Sequence, residues 1–137
     1  MIKLRLPTKI SLGRKFFSIQ LNPYRNWCSY INNKLKQTYS DSLQDTLSKF
    51  QPLSGTVRLS YTLAVKDRRR RDLDGMTFIV HKFFADALVI AGLIKDDNCF
   101  IVNKIDFECI GVAKDLPEPY VVWVTIYDDN DRGKHDG

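Results

Sequence analysis

The chain predicts a single α/β domain of the α+β kind, a mixed β-sheet with helices packed on it, in the order β-α-β-α-β-β. Three observations carry this. Val57, Leu59, Tyr61, Leu63 and Val65 alternate with polar residues, the period of a half-buried strand. Trp27, Ile31, Leu35, Tyr39, Leu43 and Leu47 recur every fourth residue, which is one face of a long amphipathic helix. A second helical segment, apolar around most of its circumference, is followed by two further strand patterns.

Residues 1–20 are basic with apolar patches, and Phe16 to Gln20 predict a short strand. Arg14 and Lys15 before it read either as phosphate-facing or as solvated charge. Asn22-Pro23 marks a turn and a helix entrance. Within that helix, Ser40-Asp41-Ser42 predict a break or bend, because such side chains compete for backbone hydrogen bonds. Pro52 to Gly55 ends it, and the alternating strand follows.

Gly75 to Gly92 predicts a largely buried helix through Phe78, Ile79, Phe83, Phe84, Leu88 and Val89. Its polar residues Thr77, His81, Lys82 and Asp86 fall within about half the circumference, at roughly 100° per residue. Lys82 and Asp86 stand four apart and either pair with each other or face a site. Gly92 suits the helix C-terminus. Asp96-Asp97-Asn98 predicts a turn, Phe100 to Ile110 a strand, and Tyr120 to Tyr127 a last strand. The domain is thus expected over residues 1–127, with a flexible polar tail over 128–137 that has no assigned function.

Composition narrows the function classes. Among 137 residues, a hydrophobic share of 44% and a charged share of 27% fit an ordinary soluble domain rather than a disordered or membrane chain. No apolar run reaches membrane-spanning length, and the first residues lack the apolar stretch of a signal peptide. Cys28, Cys99 and Cys109 are odd in number and form no CxxC, so a reducing, cytoplasmic setting is expected rather than a disulfide framework or zinc site. The net charge of +5 favours a polyanionic partner.

The chemistry concentrates between Lys66 and Asp97. Arg68, Arg69, Arg70 and Arg71 form a phosphate-binding run that leads into Asp72-Leu73-Asp74-Gly75. Asp96 and Asp97 return after the helix. Clustered carboxylates repel unless cations sit among them, and hard divalent cations take oxygen ligands of this kind together with substrate phosphates. If the helix and its turn carry the chain back, these acids gather into one metal site.

The ordered set Arg70-Arg71-Asp72-Leu73-Asp74-Gly75, Lys82, Asp86-Ala87-Leu88, Gly92 and Asp96-Asp97 resembles the RusA-type Holliday junction resolvases, a family of phage and bacterial endodeoxyribonucleases. Leu21-Asn22-Pro23-Tyr24-Arg25 is similar to that family's N-terminal Asn-containing segment. The resemblance implies a homodimer that cuts four-way DNA junctions with Mg²⁺, Mn²⁺ being the alternative ion, in a bacterial or phage-infected cytoplasm. It implies Asp72, Asp74 and Asp97 as metal ligands, Lys82 as the catalytic lysine, and the arginine run as the DNA-binding surface. Gly75 departs from the family's Asn. Lys82 lies about four residues further from Asp74 than in the family, which moves it ~6 Å along a helix and rotates it ~40°.

Two rivals stand beside this. Asp72-Leu73-Asp74-Gly75 also resembles the nucleophile motif of haloacid-dehalogenase-type phosphatases, but arginines rather than a buried strand precede it, and too little chain follows for the parallel sheet such an enzyme needs. The other is a non-catalytic basic nucleic-acid-binding module. Such a binder gains nothing from carboxylates that repel phosphate.

Overall fold

The computed structural model describes residues 1–129, and the side chains of Leu21 and Asn22 are outside that description. The predicted polar tail therefore lies outside the described residues from 130 onward. Among the described residues the elements are β1 (Ile2–Leu6), β2 (Lys9–Leu12), β3 (Lys15–Ser18), α1 (Leu21–Arg25), α2 (Ser29–Leu47), β4 (Val57–Val65), α3 (Leu73–Ile90), β5 (Val102–Val112) and β6 (Tyr120–Asp128). The mixed α+β architecture is as the sequence predicts, with more strands near the N-terminus. No helix among the described residues is long and apolar enough to cross a membrane.

The main sheet has the order β1-β6-β4-β5. β6 runs antiparallel to both β1 and β4, while β4 and β5 are parallel. The pairing follows the alternation of each strand. Leu59, Tyr61 and Leu63 stand opposite Ile126, Val124 and Val122, and all six are buried on the face that the helices cover. Ile2, Leu4 and Leu6 join that face from β1, which explains why this short, lysine- and arginine-spaced segment is a strand at all. The opposite face is more open and polar, with Arg58 stacked over the Tyr127 ring at 4.0 Å. β2 and β3 form a separate hairpin. Its two-residue turn places Gly13 at φ 62°, the left-handed conformation a tight hairpin turn of this length needs.

The long predicted helix is divided. α1 ends at Arg25, and Cys28 caps α2 in an extended conformation. Trp27 falls in the break and still packs in the core, edge-on to Phe17 and Tyr24 and against Phe83. The expected bend at Ser40-Asp41-Ser42 is absent. Ser42 donates to the Tyr39 carbonyl at 2.6 Å and Ser40 accepts from the Gln44 amide at 2.9 Å, so these side chains bond along the helix instead of against it. Tyr39, fully buried, donates to the Pro7 carbonyl at 3.1 Å and ties α2 to the N-terminal strands.

α3 packs its buried residues Met76, Ile79, Val80, Phe83, Phe84 and Leu88 into the core between α2 and the sheet. It begins two residues before the predicted start, so Asp74 and Gly75 are helical. It ends as predicted. Gly92 takes φ 75°, its N–H bonds Val89 O and the Leu93 N–H bonds Leu88 O, which is a Schellman closure. Because β4 and β5 are parallel, α3 must traverse the full length of the sheet between them.

α3 turns two polar residues inward: Thr77, fully buried and donating to the Leu73 carbonyl at 2.7 Å, and the half-buried His81. The His81 Nδ1 and the Tyr61 hydroxyl share a hydrogen bond of 2.6 Å, and the two rings meet edge to face. Burial pushes the Tyr61 hydroxyl well above its usual range, so it stays protonated. Burial also holds the imidazole down to about 4, against a smaller upward pull from Asp86. In the unfolded chain the ring takes a proton near 6.5, so as pH falls below that value the unfolded state gains protons that the folded state refuses. Stability therefore drops between pH 6.5 and about 4, by roughly 3 kcal/mol in all at 1.4 kcal/mol per pH unit, and levels off below. Urea unfolding across that window will show this slope. His81→Phe will remove the His81 part of it, at the expense of stability at neutral pH, where the Tyr61 hydroxyl loses its hydrogen-bond partner.

Candidate functional site

The arginine run closes into a compact loop at the N-terminal end of α3. Asp67 is its clip. Its carboxylate accepts from the Arg69 N–H at 2.9 Å and pairs with the Arg71 guanidinium at 2.9 Å. These contacts, the Arg69 backbone bond first, hold the Asp67 carboxyl below its usual range. Arg71 also donates to the Asp67 and Arg69 carbonyls at 3.2 and 3.3 Å, and its side chain is only 15% exposed. It thus holds the loop together, while Arg68, Arg69 and Arg70 stand exposed. A shallow cleft of about 280 Å³ opens beside the loop, lined by Arg68, Arg69, Leu73, Met76 and Val112 among others.

Asp72 and Asp74 are both exposed beside this loop. They do not lie on one extended segment. Asp72 is the N-cap of α3, extended at φ −85° and ψ 129°, and its side chain makes no capping hydrogen bond. Asp74 lies in the first turn, where negative charge favours the helix dipole, and accepts from the Gly75 N–H at 2.9 Å.

Asp96 and Asp97 lie at the other end. Asp97, Asp96, Asp86, Ile90, Lys36 and Gln37 line a groove of about 430 Å³ between α2 and the end of α3. Asp86 pairs with Lys36 of α2 at 2.8 Å, each side chain about one-third exposed (33% and 32%). It does not pair with Lys82, whose ammonium instead sits 5.3 Å from the centre of the Tyr24 ring. Asp96 accepts from the Asp97 N–H at 2.7 Å and from the Asn98 amide at 3.0 Å, which lowers its carboxyl pKa. Asp97 is pushed up by partial burial first, then by its contact with Asp96 and the charge of Asp86.

Within one chain the structure does not bring the expected metal ligands together. From Asp74 to Asp86 the helix advances about 18 Å, and over its whole length about 27 Å. Asp97 sits beside Asp86, whereas oxygen ligands stand roughly 2–2.6 Å from a hard cation. Asp72 and Asp74 cannot share an ion with Asp97 of the same chain. Nor does any group of three His, Cys, Asp or Glu side chains among the described residues form a metal cluster. Lys82, in the middle of α3, is not brought to either acidic end. Lys36 of α2 lines the same groove as Asp97, and nothing in the periodicity of α2 marks it. Asp67 could have been found from its spacing of four to Arg71.

No protein-family model matches the chain, and no curated protein matches it.

Gly75 occupies the third helical position of α3, and a Cβ built there would meet only the Asp72 Cβ, at an ordinary 3.8 Å. Gly75→Ala should therefore stabilise the protein by about 0.5 kcal/mol through the lower backbone entropy of its unfolded chain. A shift of the urea midpoint with an unchanged slope is the expected result.

Proposed function

We propose that this chain is a metal-dependent endodeoxyribonuclease for branched DNA, a RusA-type Holliday junction resolvase that works as a homodimer. The observation that carries the proposal is the juxtaposition at one end of α3 of three exposed arginines, Arg68, Arg69 and Arg70, with the exposed carboxylates Asp72 and Asp74. Arginines that hold flanking phosphates beside unpaired carboxylates are what a metal-assisted phosphodiester cut requires. Mg²⁺, or Mn²⁺, would supply the activation of water and the stabilisation of the leaving 3′ oxygen.

The separation of Asp97 from Asp72 and Asp74 makes the dimer part of the active site. A twofold axis perpendicular to α3 reverses the helix in the second copy, so the Asp72–Asp74 end of one copy lies toward the Asp97 end of the other. In that arrangement Lys36 enters with Asp97 and takes the charge-stabilising place that the resemblance gives to Lys82. A four-way junction needs two symmetric cuts, and two composite sites provide them.

The same separation favours a second reading, a basic module that binds nucleic acid without cutting it. Divalent ions discriminate the two. A passive binder holds DNA equally in EDTA and Mg²⁺ and leaves it intact.

The purified protein, incubated with a four-way junction and a matched linear duplex, should cut only the junction and only with Mg²⁺ or Mn²⁺. Asp72→Asn should reduce cleavage by about 100-fold or more while junction binding persists, since it removes negative charge from a DNA-facing surface. An equimolar mixture of Asp72→Asn and Asp97→Asn proteins should recover about a quarter of the wild-type sites, because half the dimers are mixed and each keeps one intact composite site. Full cleavage by Asp72→Asn would remove that residue from the site. Cleavage by wild type with no recovery in the mixture would return the site to a single chain.

A further inference from the structure

Two strands form the edges of the main sheet, and they differ sharply. β1 is five residues long and carries Lys3 and Arg5 on its exposed positions, which is how folded proteins discourage strand addition. β5 is eleven residues long, and most of its side chains are exposed. Its exposed residues include Ile105, Ile110 and Val112, at 41%, 59% and 40%. Met76 of α3 shares a cleft with Val112 at the end of this strand. A long apolar edge of this kind is a template for another strand.

We infer that two copies of this chain join through β5, paired antiparallel with the partner's β5 into one continuous sheet. The charge pattern of the strand commits it to its own copy. The register against β4 shifts near both ends of β5 and is regular from Lys104 to Cys109. There Ile105, Phe107 and Cys109 share the helix-covered face with Leu59, Tyr61 and Leu63, while Lys104, Asp106 and Glu108 lie on the open face. An axis normal to the sheet through Asp106 sets Lys104 against the partner's Glu108, twice, and Ile105 against the partner's Phe107, twice. Asp106 meets its own copy on the axis, where it accepts a hydrogen bond from Ser60 and has the partner's Lys104 as a diagonal neighbour. An axis through Phe107 would instead oppose Asp106 to the partner's Glu108. A strand whose charges complement themselves about one of its own residues suits an isologous contact.

The pairing has a consequence for the site, and this part rests on the nuclease proposal. The axis that reverses β5 also reverses α3 on the same face of the sheet. It brings the arginine loop with Asp72 and Asp74 to the same end of the dimer as the partner's Asp97.

Sedimentation equilibrium of the full chain, in EDTA and without DNA, tests the interface independently of catalysis. The wild type should sediment at twice the chain mass. Ile105→Lys and Lys104→Glu should each weaken the dimer by at least about tenfold, the second because it sets two carboxylates against each other. Lys104→Glu combined with Glu108→Lys should restore it, a rescue that general damage to the fold would not produce. All three positions are exposed, and far-UV circular dichroism should stay as in the wild type. A monomeric wild type at tens of micromolar, a dimer unmoved by both single substitutions, or a failed rescue would overturn the inference. A β5 dimer that cuts no junction removes the nuclease proposal alone; an active enzyme still dimeric as Ile105→Lys removes the interface alone.

Discussion

The parallel pairing of β4 with β5 governs the rest of this molecule. Two adjacent parallel strands need a connection that returns the chain to the end of the sheet where it began. Here α3 makes that return, eighteen residues from Leu73 to Ile90. The loop that enters the helix and the loop that leaves it therefore lie at opposite ends of the sheet. Among the described residues, the arginine run, Asp72 and Asp74 lie at the loop that enters the helix, and Asp96 and Asp97 at the loop that leaves it. The crossover separates arginines and paired aspartates from the second acidic group by the length of the domain.

Packing holds α3 to that course. Its buried face meets α2 through Phe83 and Tyr39, whose rings stand edge to face with centres 5.6 Å apart, and meets the sheet through His81 on Tyr61. Phe107 of β5 lies against Tyr61 in turn, with ring centres 5.3 Å apart. The chain of contacts from α2 through α3 to the edge strand leaves α3 no freedom to tilt its two ends together. One chain therefore cannot gather the acids of both ends around a single point, and on the proposed reading the set is completed by a second copy.

Charge is arranged in two different states at the two ends. At the arginine loop, Arg71 is consumed by Asp67 and by backbone carbonyls, and that internal use presents Arg68, Arg69 and Arg70 outward. At the far groove, Lys36 neutralises Asp86 while Asp96 and Asp97 crowd each other, one lowered and one raised in its readiness to lose a proton. The first end presents exposed guanidinium groups beside Asp72 and Asp74, and the second presents Asp96 and Asp97 beside an ion pair.

Local pattern was enough for several features. The alternation from Val57 to Val65 gave a strand with the faces it has, because side-chain direction in a strand follows from position alone. Gly92 closes its helix where a positive φ is needed. The mixed sheet and the two principal helices followed from periodicity. What the sequence determined by itself was thus the main buried faces and the two long helices; it left β1 and the β2–β3 hairpin unread and placed Asp74 before the helix that contains it. Strand order was decided only in three dimensions. The last strand, β6, lies inside the sheet between β1 and β4, not at an edge where a partner could join, because the N-terminal strand pairs with it across nearly the whole chain. The parallel sense of β5 was likewise a tertiary outcome, and with it the distance between Asp74 and Asp97. Spacing along a chain records how far apart residues are in sequence; whether a helix brings them together or holds them apart depends on which strands it connects.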